Sequence, residues 1–160
     1  MSVFFVLTVA MALIMGGMCA PADLPKAPMH ADYTPGEITE GWFPGNVAPT
    51  DPPNGAPRRG TMIPGYSSAR MNAGDAALRL IIGNPLGNHV GFVATLMLED
   101  GTELYTSPLL KPGQAVQLIP LNQTLKKGEY AAQVVYRCVT LDEDHAPLNA
   151  GVSGFTLYVD

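Results

Sequence analysis

Charged side chains are scarce in this chain: Asp, Glu, Lys and Arg make up 14% of its 160 residues, where a soluble domain usually carries about a quarter. Basic residues are the scarcer kind, nine Lys and Arg against fourteen Asp and Glu, for a net charge of −5. Arg58-Arg59 and Lys126-Lys127 are isolated pairs. No basic stripe exists to neutralise phosphates, which argues against a nucleic-acid partner. Tryptophan occurs once, and histidine only as His30, His89 and His145, none at metal-ligand spacing with another. No G-x-S-x-G nucleophile elbow occurs, and the acidic run "DEDH" (Asp142 to His145) lacks the alternating acids and glycine of an EF-hand loop. That run reads as a solvated hairpin tip. No catalytic set, metal or cofactor is expected.

Cysteine is almost as rare, with Cys19 and Cys138 alone. If Cys19 leaves with a leader or stays in a membrane, Cys138 has no partner within the chain. It is then either a buried, inert thiol or the site of an intermolecular link. Helical periodicity is missing after the first twenty residues, as are internal repeats and heptads. A parallel α/β sheet needs helical segments between its strands, so that class is excluded.

What the chain has instead is three regions of different wording. Met1 to Ala20, "MSVFFVLTVAMALIMGGMCA", contains no charged side chain. Twenty residues in helical form at about 1.5 Å each just cross a bilayer core of about 30 Å. The segment reads as a signal peptide or a membrane-anchor helix, although no Lys or Arg precedes its apolar core. Small residues for cleavage lie around Ala20 and Ala22, while Met18 stands where a lipoprotein signal needs a small residue before the cysteine. Residues 21–70 follow as a proline-rich stretch; Pro21 to Pro64 holds ten of the fifteen prolines and shows neither a 3.6 nor a 2 period. Proline fixes φ and removes donors, so an extended linker is expected. Trp42 within it is costly to leave in water and is expected either to dock on the following domain or to form a contact site.

From about residue 71 to 160 the text becomes that of an all-β domain. "AALRLII" (76–82), "VGFVATLMLE" (90–99), "TELYTS", "AVQLIPL" (115–121), "Tyr130 to Leu141" and "VSGFTLYV" (152–159) read as strands, each ended by turn chemistry. Asp100-Gly101 predicts a primed hairpin turn. "LKPGQ" has proline and glycine at the two central positions of a type II turn, and "LDEDHAPLNAG" reads as a polar loop. Strands at this spacing predict an immunoglobulin-like antiparallel β-sandwich of about seven strands.

The stretch "LKKGEYAAQVVYRC" sharpens that expectation. Tyr130, two residues after Gly128, sits where a tyrosine corner would return its hydroxyl to backbone a few residues upstream. Period-2 counting puts Tyr130, Ala132, Val134, Tyr136 and Cys138 inside, with Ala131, Gln133, Val135, Arg137 and Val139 outside. Inward positions elsewhere are Leu78, Leu80 and Ile82; Phe92, Ala94, Leu96 and Leu98; Val116 and Leu118; Phe155, Leu157 and Val159. Where the immunoglobulin disulfide would place a cysteine, Ala132 stands, so the disulfide is absent.

The strings "IPGYSSARMNAG", "IIGNP", "FVATLMLEDGTELYTSPLLKPGQ" and "LNQTLKKGEYAAQVVY", within Met62 to Asp160, are similar to small exported proteins of Gram-positive bacteria. In those, a hydrophobic N-terminus and a Pro-rich stretch precede one immunoglobulin-like (fibronectin-III-like) domain. The resemblance implies fold and location, an exported domain at the cell surface, and carries no catalytic residues with it. A Lys–Asn isopeptide bond, as found in some surface sandwiches, would draw on Lys111, Asn122 and Glu129, all at turns.

Three functions are weighed. The first is a membrane- or envelope-associated interaction module on a Pro-rich stalk, binding a protein partner through loops and the aromatic residues Trp42, Tyr105 and Tyr158. The second is a structural subunit that self-associates through sheet edges and the apolar segment 1–20. The third is cell-wall or carbohydrate binding, with Tyr105 and Tyr158 as a stacking platform.

Overall fold

The two longest strands form the spine of the fold. In the computed structural model, which describes residues 33–42 and 60–160, Gly128–Val139 and Pro147–Val159 pair along a long antiparallel hairpin from Gly128↔Val159 to Val139↔Pro147. In chain order the strands are β1 (Ile38–Thr39), β2 (Ser68–Met71), β3 (Ala77–Gly83), β4 (Gly91–Leu98), β5 (Glu103–Thr106), β6 (Ala115–Pro120), β7 (Gly128–Val139) and β8 (Pro147–Val159). They form a five-stranded sheet in the order β2-β8-β7-β4-β5 and a three-stranded sheet in the order β1-β6-β3. All pairs are antiparallel except β2 with β8, which is parallel. No helix occurs among the described residues, and none of them forms a span long and apolar enough to cross a membrane. The apolar segment 1–20 lies outside the described residues.

Residues of both sheets share one core. Alternation selects it as counted: Ala132, Val134, Tyr136 and Cys138 of β7 are buried, as are Phe92, Ala94, Leu96 and Leu98 of β4, Leu78, Leu80 and Ile82 of β3, and Phe155, Leu157 and Val159 of β8. In β6 the counting slips. Val116 is buried, but Ile119 takes the next inward place and Leu118 is only half-buried. A bulge opposite Gln117, between the pairs Arg79↔Leu118 and Ile82↔Val116, carries the strand across one phase of the pleat.

The corner at Tyr130 forms as expected, its hydroxyl donating to the Lys126 carbonyl at 2.8 Å. The Lys111–Gln114 turn is type II in pattern, with Gly113 at φ 84 and Gln114 N–H donating to the Lys111 carbonyl at 3.0 Å. The β4–β5 hairpin differs from the primed turn expected at Asp100-Gly101. Gly101 alone has positive φ, at 90, its N–H donates to the Leu98 carbonyl, and Leu98 N–H donates to the Thr102 carbonyl. Glu99 and Asp100 are therefore the central pair, and Gly101 is the left-handed residue after the turn, a three-residue loop. The hairpin of β7 and β8 also runs further than alternation indicated. Pro147 to Gly151, read as loop, belong to β8, because backbone pairing extends along exposed chain that has no apolar face to reveal it.

Two pieces of the Pro-rich stretch 21–70 lie in the sheets. β1 runs beside β6, with Ile38↔Val116 and Thr39↔Ala115 in register. Most of β2 falls before residue 71 and pairs with β8 from Ser68↔Thr156 to Met71↔Val159. Both are too short to show a period, so they left no pattern to read. Beyond them, a polar knot fixes the turn "GNPLGN": Asn84, fully buried, donates from Nδ2 to the carbonyls of Val90 (2.8 Å) and Leu110 (2.9 Å) and accepts from Asn88 Nδ2 at 2.8 Å.

Candidate interaction surface

The outward face of the five-stranded sheet is set by the same alternation that builds the core. Register places its residues in rows: Val93, Arg137 and Ala150; then Thr95, Val135 and Val152; then Met97, Gln133 and Gly154. A sheet face turned to water ordinarily carries polar side chains. Here apolar and small residues dominate the rows. Val152 is 59% exposed and Leu141 44%. Gly91 is the reason the chain can crowd at the upper end, since a Cβ there would lie 2.7 Å from Leu109 Cδ1 and 3.2 Å from Val139 Cγ2. Leu109, Val139 and Leu141 thus meet over a bare glycine.

Only a few charges mark this face. Arg137 is exposed and has no carboxylate partner among the described residues, whose one ion pair is Arg70 with Asp160 at 3.5 Å. At the other end, Gly154 leaves a shallow depression of about 210 Å³ lined by Glu99, Ala131, Gln133 and neighbouring backbone. Exposed apolar surface with few, placed charges is what protein contact faces present.

The three residues expected to bind are not brought together. Trp42 docks: it is half-buried, its N–H donates to the Gly113 carbonyl at 2.8 Å, and its ring lies over Gly83, where a Cβ would stand 2.6 Å from it. Tyr105 is 6% exposed, not a surface aromatic. A shift between Leu96↔Tyr105 and Met97↔Glu103 inserts Leu104 as an extra residue, and both Leu104 and Tyr105 are buried. The Tyr105 hydroxyl is buried with no hydrogen-bond partner among the described residues. Tyr158 lies outward on β8, with the Arg70 guanidinium 4.5 Å above its ring centroid. Tyr105 pairs with inward Leu96 and Tyr158 with outward Glu129, so the two tyrosines occupy opposite faces and form no common platform.

The other polar groups serve the fold. The Tyr66 hydroxyl donates to the Ile81 carbonyl at 2.8 Å and accepts from the Tyr136 hydroxyl, which joins the two sheets through the core. Burial pushes the Tyr66 phenol up to about 12 and raises Tyr136 further, with the neighbouring Tyr66 adding to the effect. Burial also raises the Cys138 thiol, so its thiolate is suppressed. Asp142 to His145 form the β7–β8 tip, where Thr140 Oγ1 is bonded to Asp142 Oδ1 and accepts from Ala146 N–H. Among the described residues no group of three or more His, Cys, Asp or Glu is placed to hold a metal ion.

Gln133 and Arg137 mark the outward side of β7 as polar in the sequence and mask the apolar residues beside them. Three of the five outward residues on that strand, Ala131, Val135 and Val139, are apolar, and that excess was the available signal. No family model, no curated protein and no solved structure matches the chain.

Proposed function

We propose that this chain is an exported, envelope-associated, non-catalytic interaction module whose immunoglobulin-like sandwich binds a protein through the outer face of its five-stranded sheet. The observation that carries the reading is the apolar outward surface around Val135 and Val152, with Val152 59% exposed. The immunoglobulin-like assignment draws on the run β8-β7-β4-β5, on β2 parallel beside β8, and on the Tyr130 corner. Export draws on the uncharged stretch Met1 to Ala20, and tethering on the proline-rich stretch after it.

The test is a photocrosslinking amino acid placed at Val152 in the native cell, with Arg79 on the other sheet as the control position. Adducts from Val152 and none from Arg79 are the expected result. Equal labelling from both, or none from either, removes the proposed surface, and recovery of the native protein from the soluble cytosol removes its location.

A further inference from the structure

We infer that the partner on this face is a second copy of the same chain, paired face to face about a two-fold axis. The inference rests on the preceding reading of the surface and names its occupant. An isologous contact requires that one patch be complementary to itself. A two-fold axis lying between the copies, along the row Thr95–Val135–Val152, reverses strand direction while keeping β4, β7 and β8 each over its own counterpart.

The register then fixes what meets what. Val93 of one copy falls over Met97 of the other, Arg137 over Gln133, and Ala150 over Gly154. Apolar meets apolar in the first pair. Small meets glycine in the third, which lets the backbones approach. In the middle pair, the exposed guanidinium of Arg137 reaches the depression lined by Gln133 and Glu99, and it does so twice by symmetry. The outward acids Glu99 and Glu103 stand at the depression's end of the sheet and Arg137 beyond its midline, so pairing the copies head to tail opposes unlike charges. The three long strands β4, β7 and β8, about 4.8 Å apart, with eight residues at about 3.4 Å, give a shared face of roughly 14 Å by 27 Å before side-chain relief. That is about half of the roughly 800 Å² per partner of a standard interface, the size of a weak, reversible contact that forms at high protein concentration.

Sedimentation velocity of the full-length chain in a mild detergent tests the pairing, with circular dichroism as the check on folding. The wild type is expected to sediment as a dimer. Arg137→Glu and Val152→Lys each weaken dimerisation about tenfold or more, and the exchange variant Arg137→Glu/Glu99→Arg recovers most of the loss. Three results overturn the inference: a wild-type monomer at about 100 µM, a dimer indifferent to both single changes, or an exchange variant no better than Arg137→Glu. Photocrosslinks from Val152 to a different polypeptide, together with a monomeric wild type, would sink the self-pairing and leave the protein-binding surface standing.

Discussion

The side chain of Asn88 holds the backbone of Met62 from both sides, its Oδ1 accepting from the Met62 N–H and its Nδ2 donating to the Met62 carbonyl, each at 2.8 Å. An amide side chain thereby does what a neighbouring strand would do. The residue held lies twenty-six positions away, next to Ile63, which packs on Gly151 of β8. Asn88 Nδ2 also donates to buried Asn84 Oδ1, so the clamp is anchored in the core.

Asn88→Ala is therefore expected to cost about 2–3 kcal/mol, because it removes three hydrogen bonds and leaves the buried Asn84 Oδ1 and the half-buried Met62 backbone unpaired. Urea unfolding should show a lower midpoint with an unchanged slope. Asn88→Asp keeps the acceptor but not the donor and should also destabilise, since a carboxylate there is buried. A loss below about 0.5 kcal/mol in Asn88→Ala would show that the clamp is incidental.

The Tyr66–Tyr136 pair predicts an alkaline limit. Tyr66 titrates at about 12 in the folded chain against an ordinary 10.0. A group whose folded pKa is raised contributes stability below its unfolded pKa, and that contribution fades as pH climbs through the folded value. The window is thus pH 10 to 12. Absorbance at 295 nm should show these two tyrosines ionising only with unfolding, and Tyr66→Phe should move the alkaline midpoint. Smooth titration of all tyrosines near 10 with the fold intact would contradict this.

How far these features could be read beforehand depended on the length of the pattern. The alternation of β7 runs through twelve residues, long enough for Gln133 and Arg137 to set its phase, and it placed Tyr130, Tyr136 and Cys138 correctly. β1 has two residues and no phase to detect; its partner is chosen by the edge of β6. Tyr105 went to the interior because of an irregularity opposite Leu96–Met97, a property of two strands together that neither displays alone. The Asn84–Asn88–Met62 knot was visible only as turn residues, since the bonds it makes depend on where residue 62 returns. The binding aromatics were the least legible part: aromatic size says that a side chain will be covered, not by what.

Trp42 offers a direct probe of the β1 strap, being the one tryptophan of the chain. Gly83→Ala puts a Cβ about where the indole lies, 2.6 Å from its Cε3. The expected outcome is displacement of the ring, read as a red-shifted emission and stronger quenching by iodide. The same Cβ would stand 2.8 Å from Ala115 Cβ on β6, so the end of the β3–β6 ladder shifts locally while the rest of the pairing, and with it most of the far-ultraviolet dichroism, is kept. An unchanged spectrum would mean that the ring does not sit on Gly83.

Cys138 should be chemically quiet. It is 5% exposed and burial raises its thiol, so the reactive thiolate is scarce. In a Cys19→Ser background, Ellman's reagent at pH 8 should titrate one thiol quickly in denaturant and only at the rate of opening without it. Rapid reaction in the native protein would instead make an intermolecular link through Cys138 credible.

The contact between Ile63 and Gly151 gives the most exacting test of the packing, because it couples a segment read as linker to β8. Gly151 sits opposite Tyr136 on the inner face, and an added Cβ would fall 1.8 Å from Ile63 Cδ1. Gly151→Ala must therefore displace Ile63 or bend β8, at about 1–3 kcal/mol for overpacking. Ile63→Ala alone loses buried methyl groups and should also destabilise. Together the two changes refill one another's space: the alanine at 151 occupies part of the volume that Ile63 vacates. The double variant is expected to be more stable than the sum of the single losses by at least about 0.5–1 kcal/mol, read from denaturant midpoints in a double-mutant cycle. Strict additivity would show that residue 63 does not rest on β8, and the Asn88 clamp one residue earlier would then have no packing to secure.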